Sequence, residues 1–99
     1  MIMNYIDSLS KAEILDGLSV LERFEKGELD SLSIKPWQGK INEVYFYKHN
    51  RIFYVIVDGD DVYMLHACRK QKNKTERRDS EVAIKRAKEL GEQLSKKFI

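Results

Sequence analysis

The sequence predicts an α+β fold, with two N-terminal helices and one C-terminal helix packed on a small antiparallel β-sheet. Three observations predict it: apolar residues at helical spacing near the N-terminus, three strand-like segments joined by tight turns, and further helical spacing at the C-terminus. A chain of 99 residues can bury one modest core, so we expect a single domain over residues 1–99.

The N-terminal region predicts two helices. Apolar residues in positions 1–9 have the spacing of one helix face. Ser10 and Glu13 have the spacing of a capping box, which satisfies amides of the first turn of the next helix. Gly27 is expected to end that helix, because glycine readily adopts the left-handed conformation of a C-terminal cap. The apolar stripe predicted for this second helix is Ile14, Leu18, Leu21 and Phe24.

The middle of the chain predicts a meander of three strands. Residues 28–36 are expected to connect the helices to the sheet, since Pro36 disfavours helix. Short turns at Lys48–Asn50 and Asp58–Asp61 make the strand pairing antiparallel. The second strand is apolar on both faces and is therefore predicted to be central. The strands are predicted at residues 41–47, 51–57 and 62–67.

The last helix is predicted to begin at a cap on Thr75 or Asp79 and to run to about Phe98. Small residues in its apolar stripe predict that it lies close to the sheet, and three bases are expected on its outer face. The stripe is Ala83, Ala87, Leu90 and Leu94, and the bases are Lys85, Arg86 and Lys88.

Charge is unevenly distributed, although the net charge is only +2. Residues 1–34 hold seven acids and three bases, whereas residues 35–99 hold fifteen bases and nine acids. Six bases and one acid lie between Arg69 and Arg78. Such a block is stable where it faces water or a polyanion, so it is either a solvated loop or a nucleic-acid-binding surface.

Cysteine, histidine and hydropathy patterns exclude several classes of protein. Cys68 is the only cysteine, so we expect no internal disulfide and a reducing compartment. With only His49 and His66 in addition, we expect no structural zinc site, no other metal and no cofactor. No apolar run approaches the length of a membrane span and no signal-peptide pattern is present, so we expect a cytoplasmic protein.

Several segments resemble a known family of toxins. An arginine enters an aromatic strand at Arg51–Tyr54, a strand ends in Leu65–His66, a lysine-rich loop ends in Lys74–Thr75, and Ala83 follows. With these segments, residues 41–87 resemble the HigB-like branch of the RelE/ParE superfamily, the toxins of bacterial and phage toxin–antitoxin pairs. The resemblance implies a RelE-like fold and a phage-derived type of toxin.

The resemblance also implies an activity, that of a ribosome-dependent mRNA endonuclease, or mRNA interferase. In this chemistry the ribose 2′-hydroxyl attacks its neighbouring phosphate without a metal ion. The implied partners are mRNA, the ribosome and a helix-turn-helix antitoxin of the HigA-like type. Arg51 and Arg69 are predicted to hold the scissile phosphate, and His66 to transfer the proton. The predicted RNA-binding residues are Lys70, Lys72, Lys74, Arg77 and Arg78.

Each of these roles has a structural alternative. His66 fits a hydrogen-bonded core residue, and Arg51 fits an ion pair with an acid on a neighbouring strand. Trp37 either stacks on a base or caps the core, and Tyr54 and Tyr63 either stack on bases or pack on the sheet. Cys68 is interpreted as a small core residue rather than a nucleophile, since the sequence offers it no evident histidine–carboxylate partner.

The chain also departs from the family pattern. Ser95–Ile99 lacks the tyrosine or histidine with which some relatives end, and we expect no strand ahead of the helices, where the family usually has one. An uncovered sheet edge usually needs a partner, so we expect an antitoxin segment or a second copy of the chain to pair with it. These departures favour an alternative function, that of a non-catalytic module such as a gyrase-binding ParE-type protein or a degenerate phage copy. RNA binding without cleavage is a third interpretation.

Overall fold

The computed structural model describes residues 2–47, 49–59, 61–69 and 77–99. The predicted α+β class is confirmed, because helices flank a four-stranded antiparallel sheet, as in a RelE-like fold. No helix within these ranges is long and apolar enough to cross a membrane. The elements are α1 (Ile2–Asp7), α2 (Lys11–Lys26), a 3₁₀ turn (Leu29–Ser31), β1 (Ser33–Gln38), β2 (Ile41–Phe46), β3 (Asn50–Val57), β4 (Asp61–Arg69) and α3 (Arg77–Leu94).

The sheet has the order β1-β2-β3-β4, so the meander lies between two edge strands. Its central strand β3 is buried on both faces, as predicted. One face packs against α1 and α2 around Ile6, Val20 and Tyr54, and the other packs against α3 around Phe53 and Ala83. The sheet therefore separates two hydrophobic clusters, and each position on β4 belongs to one side or the other.

The prediction of a plain connection over residues 28–36 is wrong, because Ser33–Gln38 forms the edge strand β1. Ile34 pairs with Val44, and Pro36 is tolerated because an edge strand can do without one amide donor. Among the described residues β1 is the first strand in chain order, and it follows both N-terminal helices. Trp37 packs on the Phe53 ring with centroids 4.4 Å apart, which confirms its interpretation as a core residue.

The N-terminal signals of α2 are confirmed, but its predicted apolar stripe is partly wrong. The Ser10 hydroxyl donates to Glu13 Oε1 at 3.0 Å and accepts from the Glu13 amide at 3.4 Å. The helix approaches the sheet most closely at Gly17 and Val20, which are buried. Leu18 is consequently turned outwards and is 41 % exposed.

The C-terminal end differs from the predicted long helix. α3 ends at Leu94, where Ser95 takes a φ of 54° and the Lys96 amide donates to the Gly91 carbonyl at 2.9 Å. The chain then reverses, which buries Phe98 in the cluster under α3 and lets its carbonyl accept from the Lys40 amide at 2.7 Å. A continued helix could not place Phe98 in the core, so burial of the aromatic ring overrides helix propensity.

We expect Gly39→Ala to reduce the free energy of unfolding by roughly 2–4 kcal/mol. Gly39 has a φ of 53°, and an added Cβ would meet the Phe98 carbonyl oxygen and lie 2.9 Å from Ile99 Cα. The substitution therefore strains the backbone and displaces the segment that carries Phe98. Urea unfolding followed by circular dichroism measures the effect.

Gly27→Ala is the matched control for this substitution. Gly27 also has a positive φ, 72°, but an added Cβ would have no neighbour within 4 Å among the described residues. This change should reduce the free energy of unfolding by about 1–2 kcal/mol, which is the cost of placing alanine in the left-handed conformation. Equal costs at the two glycines would show that the C-terminal segment does not pack on Gly39 as described.

Candidate active site

The predicted catalytic residues lie on opposite faces of the sheet. Successive residues of a strand point to opposite sides, so His66 and Cys68 face α3 whereas Arg69 faces α2. Arg51 pairs with Cys68 in the sheet register and lies on the α3 side. The structure brings Arg51 and His66 to one face and leaves Arg69 on the other. The alternation of residues along the strand could have predicted this separation.

His66 lies between a carboxylate and a guanidinium. Its Nε2 is 2.8 Å from Asp79 Oδ1, and its Nδ1 is 3.4 Å from Arg86 Nη1. Arginine only donates hydrogen bonds, so Nδ1 must accept and the proton of a neutral ring lies on Nε2, where it is donated to Asp79. The side chains of His66 and Asp79 are 18 % and 24 % exposed, so this pair borders solvent. The arrangement suits proton transfer at Nδ1, with the ring orientation fixed by Asp79.

Two residues of this cluster differ from their predicted positions. Asp79 is inside the first turn of α3 rather than at its cap, and its carboxylate binds His66. Thr75, the other predicted cap, lies outside the described residues. Arg86 is half-buried instead of lying on the outer face, because its Nη1 donates to the Leu65 carbonyl at 2.8 Å. Both contacts join residues far apart in the chain, so no local pattern indicated them.

A cavity of about 350 Å³ lies beside this cluster, between β4 and α3. Arg86 and Tyr63 line it, together with Leu90. Tyr63 is on the exposed side of β4, so its ring is accessible from the cavity, and its predicted stacking on a base stays a prediction. Arg86 contacts His66 and also lines the cavity. Its guanidinium therefore places a positive charge between the imidazole and a space that is large enough for part of a ligand.

The structure confirms the alternative interpretation of Arg51, which is an ion pair with an acid on the neighbouring strand. Its Nη1 is 2.8 Å from Glu43 Oε2, and both side chains are buried. The guanidinium also lies over the rings of Tyr45 and Phe53, 5.3 and 5.6 Å from their centroids. The Tyr45 hydroxyl donates to Glu43, and burial raises the pKa of Tyr45. In this arrangement Arg51 links strand β3 to strand β2. Its predicted contact with phosphate stays a prediction.

Arg69 forms an ion pair that links the end of β4 to α2. Its Nη2 is 2.7 Å from Glu13 Oε2, which also accepts from Asn50 Nδ2 at 2.7 Å. The hydrogen bond from Asn50 is the largest cause of the lowered pKa of Glu13, followed among the favourable contacts by Ser10 and Arg69. The side chain of Arg69 is 54 % exposed, so it remains accessible to an anion despite this pair.

The remaining predicted RNA-binding residues are only partly described. Lys70, Lys72 and Lys74 lie outside the described residues. Arg77 and Arg78 are exposed in the first turn of α3, where Arg77 Nε is 3.0 Å from Glu81 Oε1. An exposed pair of this kind contributes little to stability, so Arg77 can exchange Glu81 for a polyanion at small cost.

Cys68 has histidine and carboxylate neighbours in the fold, although the sequence shows no such partners beside it. Its sulfur, a nitrogen of His66 and an oxygen of Asp79 lie within 4.8 Å of one another. Burial, with a smaller contribution from Asp79, raises the pKa of the Cys68 thiol to about 12. The thiol is therefore protonated at neutral pH, and its interpretation as a core residue rather than a nucleophile agrees with this environment.

We expect Cys68 to be alkylated on the order of 10³-fold more slowly in the native protein than in the urea-unfolded chain at pH 8, because its thiolate population falls with the raised pKa. The raised pKa also favours the folded state below the unfolded value of 9.0, and this contribution is lost as the pH rises towards about 12. Iodoacetamide modification followed by mass spectrometry measures the rates. Native and unfolded rates within tenfold would contradict the buried position.

Comparison with known proteins places most of the chain in one family. The family model described as "Phage derived protein Gp49-like (DUF891)" matches residues 4–88. This range extends from α1 into α3 and includes His66, Asp79 and Arg86. No curated protein and no solved structure matches the chain.

Proposed function

The chain belongs to the phage-derived Gp49-like family, a family of toxin-like proteins of toxin–antitoxin systems, and on that premise we propose that it is a type II toxin of the HigB-like branch that cuts mRNA on the ribosome. The observation that carries the proposal is the His66 imidazole, held by Asp79 and placed beside Arg86. RNA cleavage by the 2′-hydroxyl needs little more than a proton acceptor and a cation beside the phosphate.

In the proposed reaction, Nδ1 of His66 exchanges its 3.4 Å contact with Arg86 for the ribose 2′-hydroxyl and takes the hydroxyl proton. The 2′ oxygen attacks the adjacent phosphorus, the bond from phosphorus to the 5′ oxygen breaks, and the leaving oxygen takes a proton from solvent. The products are a 2′,3′-cyclic phosphate and a 5′-hydroxyl end. Asp79 stabilises the imidazolium that forms, because its carboxylate already accepts the Nε2 proton.

Arg86 replaces Arg51 as the proposed ligand of the scissile phosphate. Its contacts with Leu65 and His66 both use Nη1, and arginine has five N–H donors in a planar fork. Arg86 also lines the cavity, where the negative charge of the transition state would develop. Arg69, Arg77 and Arg78, with Lys70, Lys72 and Lys74, are proposed to bind flanking RNA or ribosomal RNA.

The proposed partners follow from the same function. The toxin acts on translating ribosomes in the cytoplasm and is neutralised by a HigA-like helix-turn-helix antitoxin. Within the described residues, β1 and β4 each have one strand neighbour only, so each offers an edge. An antitoxin segment or a second copy of the chain is proposed to pair with such an edge.

Controlled expression in a bacterium tests the proposal. We expect growth arrest within minutes of induction, with mRNA cut inside ribosome-occupied codons and 5′-hydroxyl ends at the cuts. DNA-damage signalling without mRNA cleavage would instead indicate a gyrase target of the ParE type. Stable expression of folded protein without arrest would overturn the proposal and favour the non-catalytic alternative. Co-expression with the helix-turn-helix protein of a neighbouring gene should restore growth.

A further inference from the structure

Three metal-ligating side chains meet at the junction of β4 and α3. His66, Cys68 and Asp79 bring a nitrogen, a sulfur and an oxygen within 4.8 Å of one another. From this grouping we propose that they bind one divalent transition-metal ion, with Zn²⁺ and Co²⁺ as the fitting ions. The site goes beyond the proposed RNA cleavage, which uses the metal-free form because an ion on His66 Nε2 leaves Nδ1 protonated, and its test needs no RNA.

The backbone positions suit a shared ion. His66 and Cys68 are two residues apart on one strand, so both side chains project from the same face. Asp79 approaches from the first turn of α3, and its carboxylate already lies 2.8 Å from His66 Nε2. Zinc bonds of roughly 2.0–2.3 Å in a tetrahedral site separate the ligand atoms by about 3–4 Å. Small rotations of partly exposed side chains, those of His66 and Asp79, bring the three atoms to that spacing.

Charge and exposure set the class of ion. The ion displaces the proton of the Cys68 thiol to solvent, and the resulting thiolate and the Asp79 carboxylate together balance a divalent cation, while the neutral imidazole adds a nitrogen ligand. Cys68 closes the inner side of the site, whereas His66 and Asp79 border solvent, which leaves access for the ion and for a water molecule as fourth ligand. Thiolate favours Zn²⁺ and Co²⁺ over the hard cations Mg²⁺ and Ca²⁺, which prefer oxygen.

Arg86 and Arg51 are cations among the described neighbours, and both oppose a further cation here. Arg51 pairs with Cys68 in the sheet register, but its charge is compensated by Glu43 at 2.8 Å. When His66 Nε2 binds the ion, the ring proton moves to Nδ1, and the 3.4 Å contact with Arg86 is lost. Arg86 is held independently by the Leu65 carbonyl at 2.8 Å, so it can keep that bond while the imidazole turns from it. Arg86→Gln removes this cation and should therefore tighten metal binding.

Titration of the metal-free, full-length protein with Co²⁺ tests the site. Cys68 is the only cysteine, so a thiolate-to-cobalt charge-transfer band can arise from no other residue. We expect this band to saturate at one ion per chain and to disappear when Zn²⁺ is added. Zn²⁺ should also raise the unfolding temperature, whereas Mg²⁺ at the same concentration should not.

Four variants complete the experiment. Cys68→Ser should abolish the band, and His66→Gln and Asp79→Asn should each weaken Co²⁺ binding at least about tenfold. His49→Gln, which removes the exposed histidine of the β2–β3 turn, is the matched control and should bind as the parent does. Circular dichroism verifies that each variant is folded. The absence of a sulfur band at saturating Co²⁺, or unchanged affinity in folded His66→Gln and Asp79→Asn, would overturn the proposal.

Discussion

Replacing His66 with glutamine is expected to lower the rate of mRNA cleavage by roughly 10²- to 10⁴-fold, the usual contribution of a positioned acid–base group. Glutamine retains polar atoms near Asp79 and Arg86, so the fold should survive, but an amide cannot take the 2′-hydroxyl proton. The measurement is the rate of cut-end formation on mRNA in a translating extract, with growth after induction as the cellular counterpart.

His49→Gln is the matched control for this change, because His49 lies in an exposed turn and should not affect cleavage. Asp79→Asn should reduce the rate less than His66→Gln, since it leaves the imidazole in place but removes the carboxylate that stabilises its charged form. A folded His66→Gln protein that cuts mRNA at the parental rate would remove His66 from the reaction.

Replacing Glu43 with glutamine is expected to reduce the free energy of unfolding by about 3–5 kcal/mol, because a neutral amide replaces the carboxylate that lies 2.8 Å from the buried Arg51 guanidinium. The double variant Glu43→Leu/Arg51→Met should lose far less free energy of unfolding than Glu43→Gln, because no charge is left buried. Urea unfolding followed by the fluorescence of Trp37, the only tryptophan, measures the stability of both variants. Trp37 is a suitable probe because its ring packs on Phe53, and the Arg51 guanidinium lies over the Phe53 ring.

The exposed ion pair between Glu22 and Lys26 provides the control. Glu22→Gln should cost less than about 1 kcal/mol, because water screens an exposed pair. Similar costs at Glu43 and Glu22 would mean that the Arg51 pair is not buried in solution. Burial also makes Arg51→Ala an unsuitable test of phosphate binding, since the loss of activity could follow from unfolding.

Much of the fold could be predicted from the sequence because its signals are local. The capping box at Ser10 and Glu13, the stop at Gly27 and the turn at Asp58–Gly59 each depend on neighbouring residues. β3 was identified as central from its own apolar pattern. In the site, the sequence indicated His66, but it did not indicate the partners that hold the ring.

The sequence by itself determined the α+β class, the antiparallel meander and the basic stretch that follows β4. Only the tertiary structure decided that His66 meets Asp79 and Arg86, that Arg51 is committed to Glu43, and that the C-terminus folds back over Gly39. The reason is that helix and strand periodicity is encoded in residues a few positions apart. Contacts between separate elements depend on how strands pair and which face each helix covers, and no short stretch of the chain carries that information.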